Sequence, residues 1–251
     1  GDASSDAVRT TFSAISVATV LEDAFEVASG WTAGIAGDTA TSGQWVRVDP
    51  VGTNAQPEND HTVNGTICFV TGQGVVGGGD GAADVDGGVT TLLSPNYDLT
   101  GLDEPTLEYW YWYSNNLGGA PNADSMPVEI SNNGGTTWVA LETIATNNAA
   151  WTKRSWRVRD FVTPTNQVRV RFIARDLATG SLVEAGVDDL KITNVDCTPN
   201  IVGDINGDGS VNGSDLSILL GSWGSNNPAA DLDRDGVVGG TDLATLMSNW
   251  R

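Results

Sequence analysis

Short runs of alternating apolar and polar residues, broken by Gly, Asn and Asp turns, occupy the chain from its start to about residue 197. The clearest are QWVRV (44–48), TICFV (66–70), TLEYWYWYS (106–114), MPVEIS (126–131), TWVALET (137–143), RSWRVRDF (154–161), QVRVRFIAR (167–175) and VDDLKITNV (187–195). Alternation of period two puts Val168, Val170 and Phe172 on one face of a strand and Arg169 and Arg171 on the other. Many short strands at this spacing, without a long 3.6-period segment, predict an antiparallel β-sandwich. NNGG (132–135) reads as a hairpin turn and the glycine-rich stretch 72–88 as a long loop.

Beyond CTPN (197–200) the pattern changes to a repeat. Asp204, Asp208, Gly209 and Asp215 recur 27 positions later (204 to 231) as Asp231, Asp235, Gly236 and Asp242. Leu216, Leu219, Leu220 and Trp223 recur as Leu243, Leu246, Met247 and Trp250. Their spacing of i, i+3, i+4 and i+7 marks one face of a helix, so each unit is a polar loop running into a short amphipathic helix. The expected organisation is a β domain over 1–197, a linker over 198–202 and a small α-helical domain over 203–251.

Charge sharpens this picture. The 251 residues carry 32 acidic and 12 basic side chains, a net charge of −20. A surface so acidic repels nucleic acid and anionic membranes and attracts divalent cations. No apolar run is long enough to insert in a membrane. GDASSDAVRTTF at the start lacks a basic segment followed by an apolar one, as in a processed chain or an excised fragment. Low charge density, abundant glycine and only two cysteines fit a secreted protein. Cys68 and Cys197 form either one disulfide or two buried thiols, and both readings stand.

The loops have the chemistry of calcium sites. Calcium takes six to eight oxygens, which a twelve-residue loop can supply from alternate positions. DINGDGSVNGSD (204–215) offers Asp204, Asn206, Asp208, the Ser210 carbonyl, Asn212 and Asp215. DLDRDGVVGGTD (231–242) offers Asp231, Asp233, Asp235, the Val237 carbonyl and Asp242, with water filling the place that Gly239 leaves. The last ligand is Asp, and neither CTPNIVG nor GSNNPAA has the period of an entering helix. A sensor opens a groove by moving an entering helix against an exiting one. The expected role of two calcium ions here is therefore to staple a fold too small for a robust core.

Residues 203–251 resemble a type I dockerin, a duplicated loop–helix (F-hand) module that binds a cohesin domain on a scaffold or cell surface. The resemblance implies a cohesin-like partner, read by Gly213, Ser214, Leu220 and Gly221 in the first repeat. In the second repeat it implies Gly240, Thr241, Met247 and Ser248. Ser214 and Thr241 keep the usual hydroxyl of that family, whereas glycine replaces its neighbour, and Leu220–Gly221 and Met247–Ser248 replace a basic pair. Leu220 and Met247 are equally readable as core.

EDAFE (22–26) with Trp31, TTLLSPNYDL (90–99), ISNNGGTTWV (130–139) and GVDDLKI (186–192) resemble the MAM-like jelly-roll modules of large secreted bacterial proteins. That resemblance implies a non-catalytic jelly-roll sandwich with a further structural calcium, for which Glu22, Asp23, Glu26, Asp188 and Asp189 are candidate ligands. Tyr109, Tyr111 and Tyr113 share one face of a strand, and Trp110 and Trp112 share the other. An exposed Trp110–Trp112 face would suit sugar rings, while Arg157, Arg159, Arg169 and Arg171 would form a basic stripe for an anionic polysaccharide or pair across strands with acids. His61, the single histidine, reads as a surface-loop residue, and no GxSxG, HExxH or Cys–His arrangement forms around it.

The expected function is a secreted or cell-surface, non-catalytic attachment protein. A mostly β, antiparallel jelly-roll sandwich carries cargo or binds carbohydrate, and a calcium-dependent dockerin engages a cohesin-like protein. Two alternatives are an accessory region of a larger secreted hydrolase and a structural unit whose dockerin packs on its own sandwich.

Overall fold

The computed structural model describes residues 16–177, 180–196 and 201–251. The chain divides into two compact units, Val17–Asp196 and a second that holds residues 201–251. Cys197 and most of the 198–202 segment lie outside the described residues, and with them the question of a disulfide; Cys68 is buried.

The larger unit is a jelly-roll-like sandwich of two antiparallel sheets. The first sheet runs in the order β3 (Trp45–Val48), β4 (Cys68–Thr71), β11 (Ser181–Asp196), β6 (Glu104–Gly118), β9 (Asn148–Arg157), with β1 (Ser16–Asp23) also paired to β11. The second runs β2 (Thr32–Ala33), β5 (Gly88–Leu93), β10 (Arg169–Asp176), β7 (Met126–Ser131), β8 (Val139–Ile144). Alternation along the strands builds the core between the sheets, as the period-two pattern demands. Tyr109, Tyr111 and Tyr113 of β6 point into it, as do Val170 and Phe172 of β10, with Val168 beside them. Tyr109 and Phe172 meet edge to face across the two sheets at 4.9 Å.

The opposite face of β6 is not uniformly open. Trp112 is fully buried in a second cluster with Cys68 and Val70, against which Trp151 packs. Gly186, opposite Trp112 on β11, makes room for the indole: a Cβ there would lie 2.1 Å from its Nε1. Trp112 is thereby removed from the candidate ligand-binding residues, because its ring is covered on the sheet's outer side.

Several elements differ from the sequence expectation. RSWRVRDF is a strand only through Arg157; Val158–Asp160 is a 3-10 turn, closed by the Phe161 N–H donating to the Val158 carbonyl with Val158 buried beneath it. The hairpin around NNGG is longer than a two-residue turn, since β8 begins only at Val139. β1, β2 and β5 have no counterpart in the predicted set. β1 is largely exposed, β2 has two residues, and β5 is mostly buried on both faces, so none shows a sustained alternation.

The smaller unit holds α1 (Gly213–Gly221) and α2 (Gly240–Ser248). Residues 201–212 and 222–239 hold turns and bends, with no entering helix. Its core is Val211, Leu219, Ala230, Val238 and Leu246, with Leu216, Leu243, Ile205 and Leu232 packed against it. The loop valines Val211 and Val238, which the helical period does not reveal, are thus as central as the helix leucines. Leu220, Met247, Trp223 and Trp250, which share the helical period of Leu216 and Leu219, are 42–52% exposed. Two nine-residue helices meet along a seam too narrow for four residues each, and the inner pair of positions fills it.

Two core truncations test this architecture. Phe172→Ala should cost the sandwich about 3–5 kcal/mol, measured by urea unfolding followed in the near-UV circular dichroism of the aromatic cluster. Leu219→Ala should cost the smaller unit about 2–5 kcal/mol and abolish much of its helical ellipticity, because helices this short do not persist without packing.

Candidate calcium loops and binding faces

Each loop of the smaller unit is organised around its last acid. Asp215 is fully buried and its Oδ1 accepts the Ile205 and Asn206 N–H groups at 2.8 and 3.1 Å, while Oδ2 accepts from Asn212 at 2.9 Å. Asp242 repeats this with Leu232, Asp233 and Gly239 at 2.6, 3.1 and 2.7 Å. Desolvation pushes the Asp215 carboxyl up, but the backbone donors outweigh it and hold the group below its ordinary value. The Gly239 N–H leads the same effect at Asp242.

The remaining carboxylates line the turn. Asp204 accepts from Gly207, Asp208 and Gly209, Asn206 from Asp208, and Asp208 from Ser210. Asp231 accepts from Gly236, Asp233 from Asp235, and Asp235 from Val237. Gly209 and Gly236 take φ of 87° and 96°, the left-handed conformation that the sixth place of the loop requires. Asp231, Asp233 and Asp235 each present an oxygen within 4.8 Å of the others, and Asp231 Oδ1 is buried without a hydrogen-bond partner. Three carboxylates at this range repel one another unless a cation lies between them, and oxygen-only donors suit a hard divalent ion.

Asn212 caps α1, its Oδ1 accepting from the Ser214 N–H at 2.8 Å. Gly213, Ser214, Leu220 and Gly221, and their counterparts Gly240, Thr241, Met247 and Ser248, are all exposed. Leu220 and Met247 are 51% and 52% exposed, which removes the reading of them as core. With Ile218, Trp223 and Trp250 they leave a small helical unit with an unusual share of apolar surface.

In the sandwich, the candidate metal ligands separate. Glu22 is exposed and pairs with Lys191 at 3.5 Å. Asp23 holds its own loop, accepting from the Phe25 N–H, Ser29 Oγ and Trp31 Nε1. Neither is hydrogen-bonded to the loop that holds Asp188 and Asp189, although Glu22 lines a depression with Asp189. A bulge in β11 between Asp188 and Lys191, with Asp189 at φ 46°, presents Asp188 and Asp189 to the 60–62 loop. Asp188, fully buried, accepts from the His61 and Thr62 N–H groups, and burial pushes its carboxyl up to about 7. Glu26 accepts from the Thr66 and Ile67 N–H groups and lies beside Asp60, whose Oδ2 is buried without a partner. Burial and then the Glu26 charge raise the Asp60 carboxyl, with Asp189 adding to it. Asp60 was missed in the sequence because its partners lie far along the chain; its one local signal is the acidic run ENDH.

His61 is not a free surface residue. Its Nδ1 lies 2.6 Å from Asp189 Oδ2 and its ring stacks on Trp110 at 3.7 Å. Trp110 is half-buried and lines a depression of about 430 Å³ with Glu22, Glu108, Lys153, Asp189 and Lys191. The four arginines do not form a stripe. Arg157 belongs to the first sheet and Arg169 and Arg171 to the second, and Arg159 sits in the 3-10 turn. Arg157 pairs with Glu104 at 2.6 Å, and Arg171 pairs with Glu129, its register partner, at 2.5 Å. Arg159 donates to the Leu102 and Asp103 carbonyls and Arg169 to the Ser94 carbonyl. Their charges are spent within the fold, on cross-strand and loop contacts.

No curated protein matches the chain. Solved structures similar to it include the K1 cleaved adhesin domain of Lys-gingipain from Porphyromonas gingivalis W83, at 15% identity and a TM-score of 0.42, covering 70% of this chain and 97% of that one. The CBM22-1 xylan-binding domain of Paenibacillus barcinonensis Xyn10C is 14% identical with a TM-score of 0.39, covering 73% and 97%. A family 11 carbohydrate-binding module from Clostridium thermocellum, solved with a mixed-linked tetrasaccharide, is 11% identical with a TM-score of 0.42, covering 72% and 96%. These likenesses concern the outline of the fold alone. The duplicated loops and helices are identified more sharply: residues 202–249 match the model of the Dockerin type I domain.

Proposed function

We propose that the protein is a non-catalytic, secreted attachment protein in which a dockerin over 203–251 binds a cohesin-like partner in the presence of calcium, and a sandwich over 1–197 is the attached module. The observation that carries this reading is the pairing of two features in one duplicated unit. Its second loop brings three carboxylates within 4.8 Å of one another, and its helices turn Leu220 and Met247 outward.

Two calcium ions would be held by Asp204, Asn206, Asp208, Asp215 and the Ser210 carbonyl, with Asn212 directly or through water, and by Asp231, Asp233, Asp235, Asp242 and the Val237 carbonyl. The ion's contribution is structural: it offsets the carboxylate repulsion and fixes each loop against the helix that follows. Asp215 and Asp242 bind the start of each loop to the start of each helix, so ordering the loop orders the docking residues Gly213, Ser214, Leu220 and Gly221. Gly240, Thr241, Met247 and Ser248 form the equivalent set. Near-identity of the two sets supports two docking orientations related by a half-turn. In the sandwich, Glu26, Asp60 and Asp188 with Asp189 fit a further structural calcium, because Asp60 Oδ2 is otherwise a buried acceptor without a donor.

The sandwich's own ligand surface is the depression floored by Trp110. Its half-buried indole, braced from behind by His61, offers a fixed apolar plane beside two lysines and three carboxylates. That mixture suits a polysaccharide, whose rings stack on aromatic planes and whose hydroxyls accept and donate hydrogen bonds.

Pull-down from the native secretome should recover a cohesin-like protein with calcium and lose it with chelator; absence of any calcium-dependent partner would sink the docking reading. The double variant Leu220→Ala/Met247→Ala should weaken that capture by about tenfold or more while leaving helical ellipticity intact. For the sandwich, a glycan array should give binding that Trp110→Ala abolishes, and a blank array would remove the carbohydrate role.

A further inference from the structure

A separate group of acids in the sandwich has no role in the sites above. Asp84 is 2% exposed and its Oδ2 is buried without a hydrogen-bond partner. Asp176, the last residue of β10, has Oδ1 in the same condition, while its Oδ2 accepts from the Gly87 N–H at 3.3 Å. Asp86 lies two residues from Asp84, held by Ser42 Oγ at 2.9 Å. Two neutral oxygens of β6, the Tyr113 hydroxyl and Asn115 Oδ1, are also buried and unpartnered. Asn115 is anchored by its amide donating to the Asp124 carbonyl at 2.7 Å, and Asp124 is itself bound by the Leu177 N–H and Ser181 Oγ.

These groups feel one another. Burial, then the Asp86 charge and that of Asp176, raises the Asp84 carboxyl to about 6. Burial and the charges of Asp124 and Asp86 raise Asp176, and those of Asp124 and Asp176 add to the burial that raises the Tyr113 hydroxyl. Among the described residues no Lys or Arg forms an ion pair with Asp84, Asp86 or Asp176. A sandwich that neutralises Arg157, Arg171 and Lys153 with carboxylates thus leaves two buried carboxylate oxygens, Asp84 Oδ2 and Asp176 Oδ1, near like charge. Desolvated carboxylates are strongly disfavoured without a counter-charge.

We propose that Asp84 and Asp176 are ligands of a divalent cation of calcium's class, with Asp86 supplying nearby negative charge and Asn115 a neutral oxygen. Anionic and amide oxygens with no nitrogen or sulfur donor select a hard ion, and a site assembled from separate strands and a loop suits calcium's flexible coordination better than magnesium's rigid octahedron. Asp84 lies within the glycine-rich loop and Asp176 ends β10, so the ion would tie that loop to the end of the second sheet. Its existence does not depend on the dockerin or on a ligand of the Trp110 depression.

The test is a count of calcium bound per chain, by equilibrium dialysis of the full chain against calcium chloride. Compared with wild type, Asp84→Asn/Asp176→Asn should bind one equivalent fewer and show a smaller calcium-induced rise in the sandwich's thermal midpoint. An unchanged count in a variant with native near-UV circular dichroism overturns the proposal. Should that pair fail to fold, the exposed Asp86→Asn decides: one class of site should weaken by about fivefold from the lost charge alone, and unaltered affinity at every site overturns it equally.

Discussion

A strand that is aromatic on both faces has to be covered twice, and β6 sets the sandwich by that requirement. Tyr109, Tyr111 and Tyr113 need a second sheet on one side, which Phe172 and its neighbours supply. Trp112 needs a cover on the other, which Cys68, Val70 and Trp151 provide. Gly186 is the concession that lets β11 lie flat against so large a ring. Where the cover runs out, at Trp110, the aromatic face reaches solvent and the sandwich acquires its one half-buried indole braced by a histidine. One strand therefore carries core-facing tyrosines, a covered tryptophan and a half-buried one side by side.

The smaller unit works by a different balance. Its five-residue core is too small to fix two loops rich in carboxylate, and the backbone N–H groups that converge on Asp215 and Asp242 supply the missing order. Those contacts leave the outer loop acids facing one another. An ion that satisfies them adds stability where the apolar core has none to give. The outward turn of Leu220 and Met247 follows from the same economy of volume, because a seam of this width holds two residues per helix.

The sequence made the repeat legible because its chemistry is local: ligand spacing, the sixth-place glycine and the helix that follows all lie within one stretch of chain. Alternation also placed the tyrosines and Val168, Val170 and Phe172 correctly, since period two decides which face a residue occupies. It does not decide which sheet a strand joins. Arg157 and Arg171 therefore looked like neighbours until β9 and β10 fell into different sheets. Long-range acid groupings were illegible for a related reason: the charges of Glu26 and Asp189 act on Asp60, and that of Asp176 on Asp84, across separations that no local pattern records.

One pair of hydrogen bonds in the smaller unit links its two repeats. The Val238 carbonyl accepts from the Gly224 N–H at 2.9 Å, just past the first helix, and the Val211 carbonyl accepts from the Arg251 N–H at 3.1 Å, just past the second. Each loop is latched by the residue that trails the other repeat's helix, so neither half closes by itself. The two repeats therefore hold together as one unit, and a change beside either helix end reaches the loop of the other repeat.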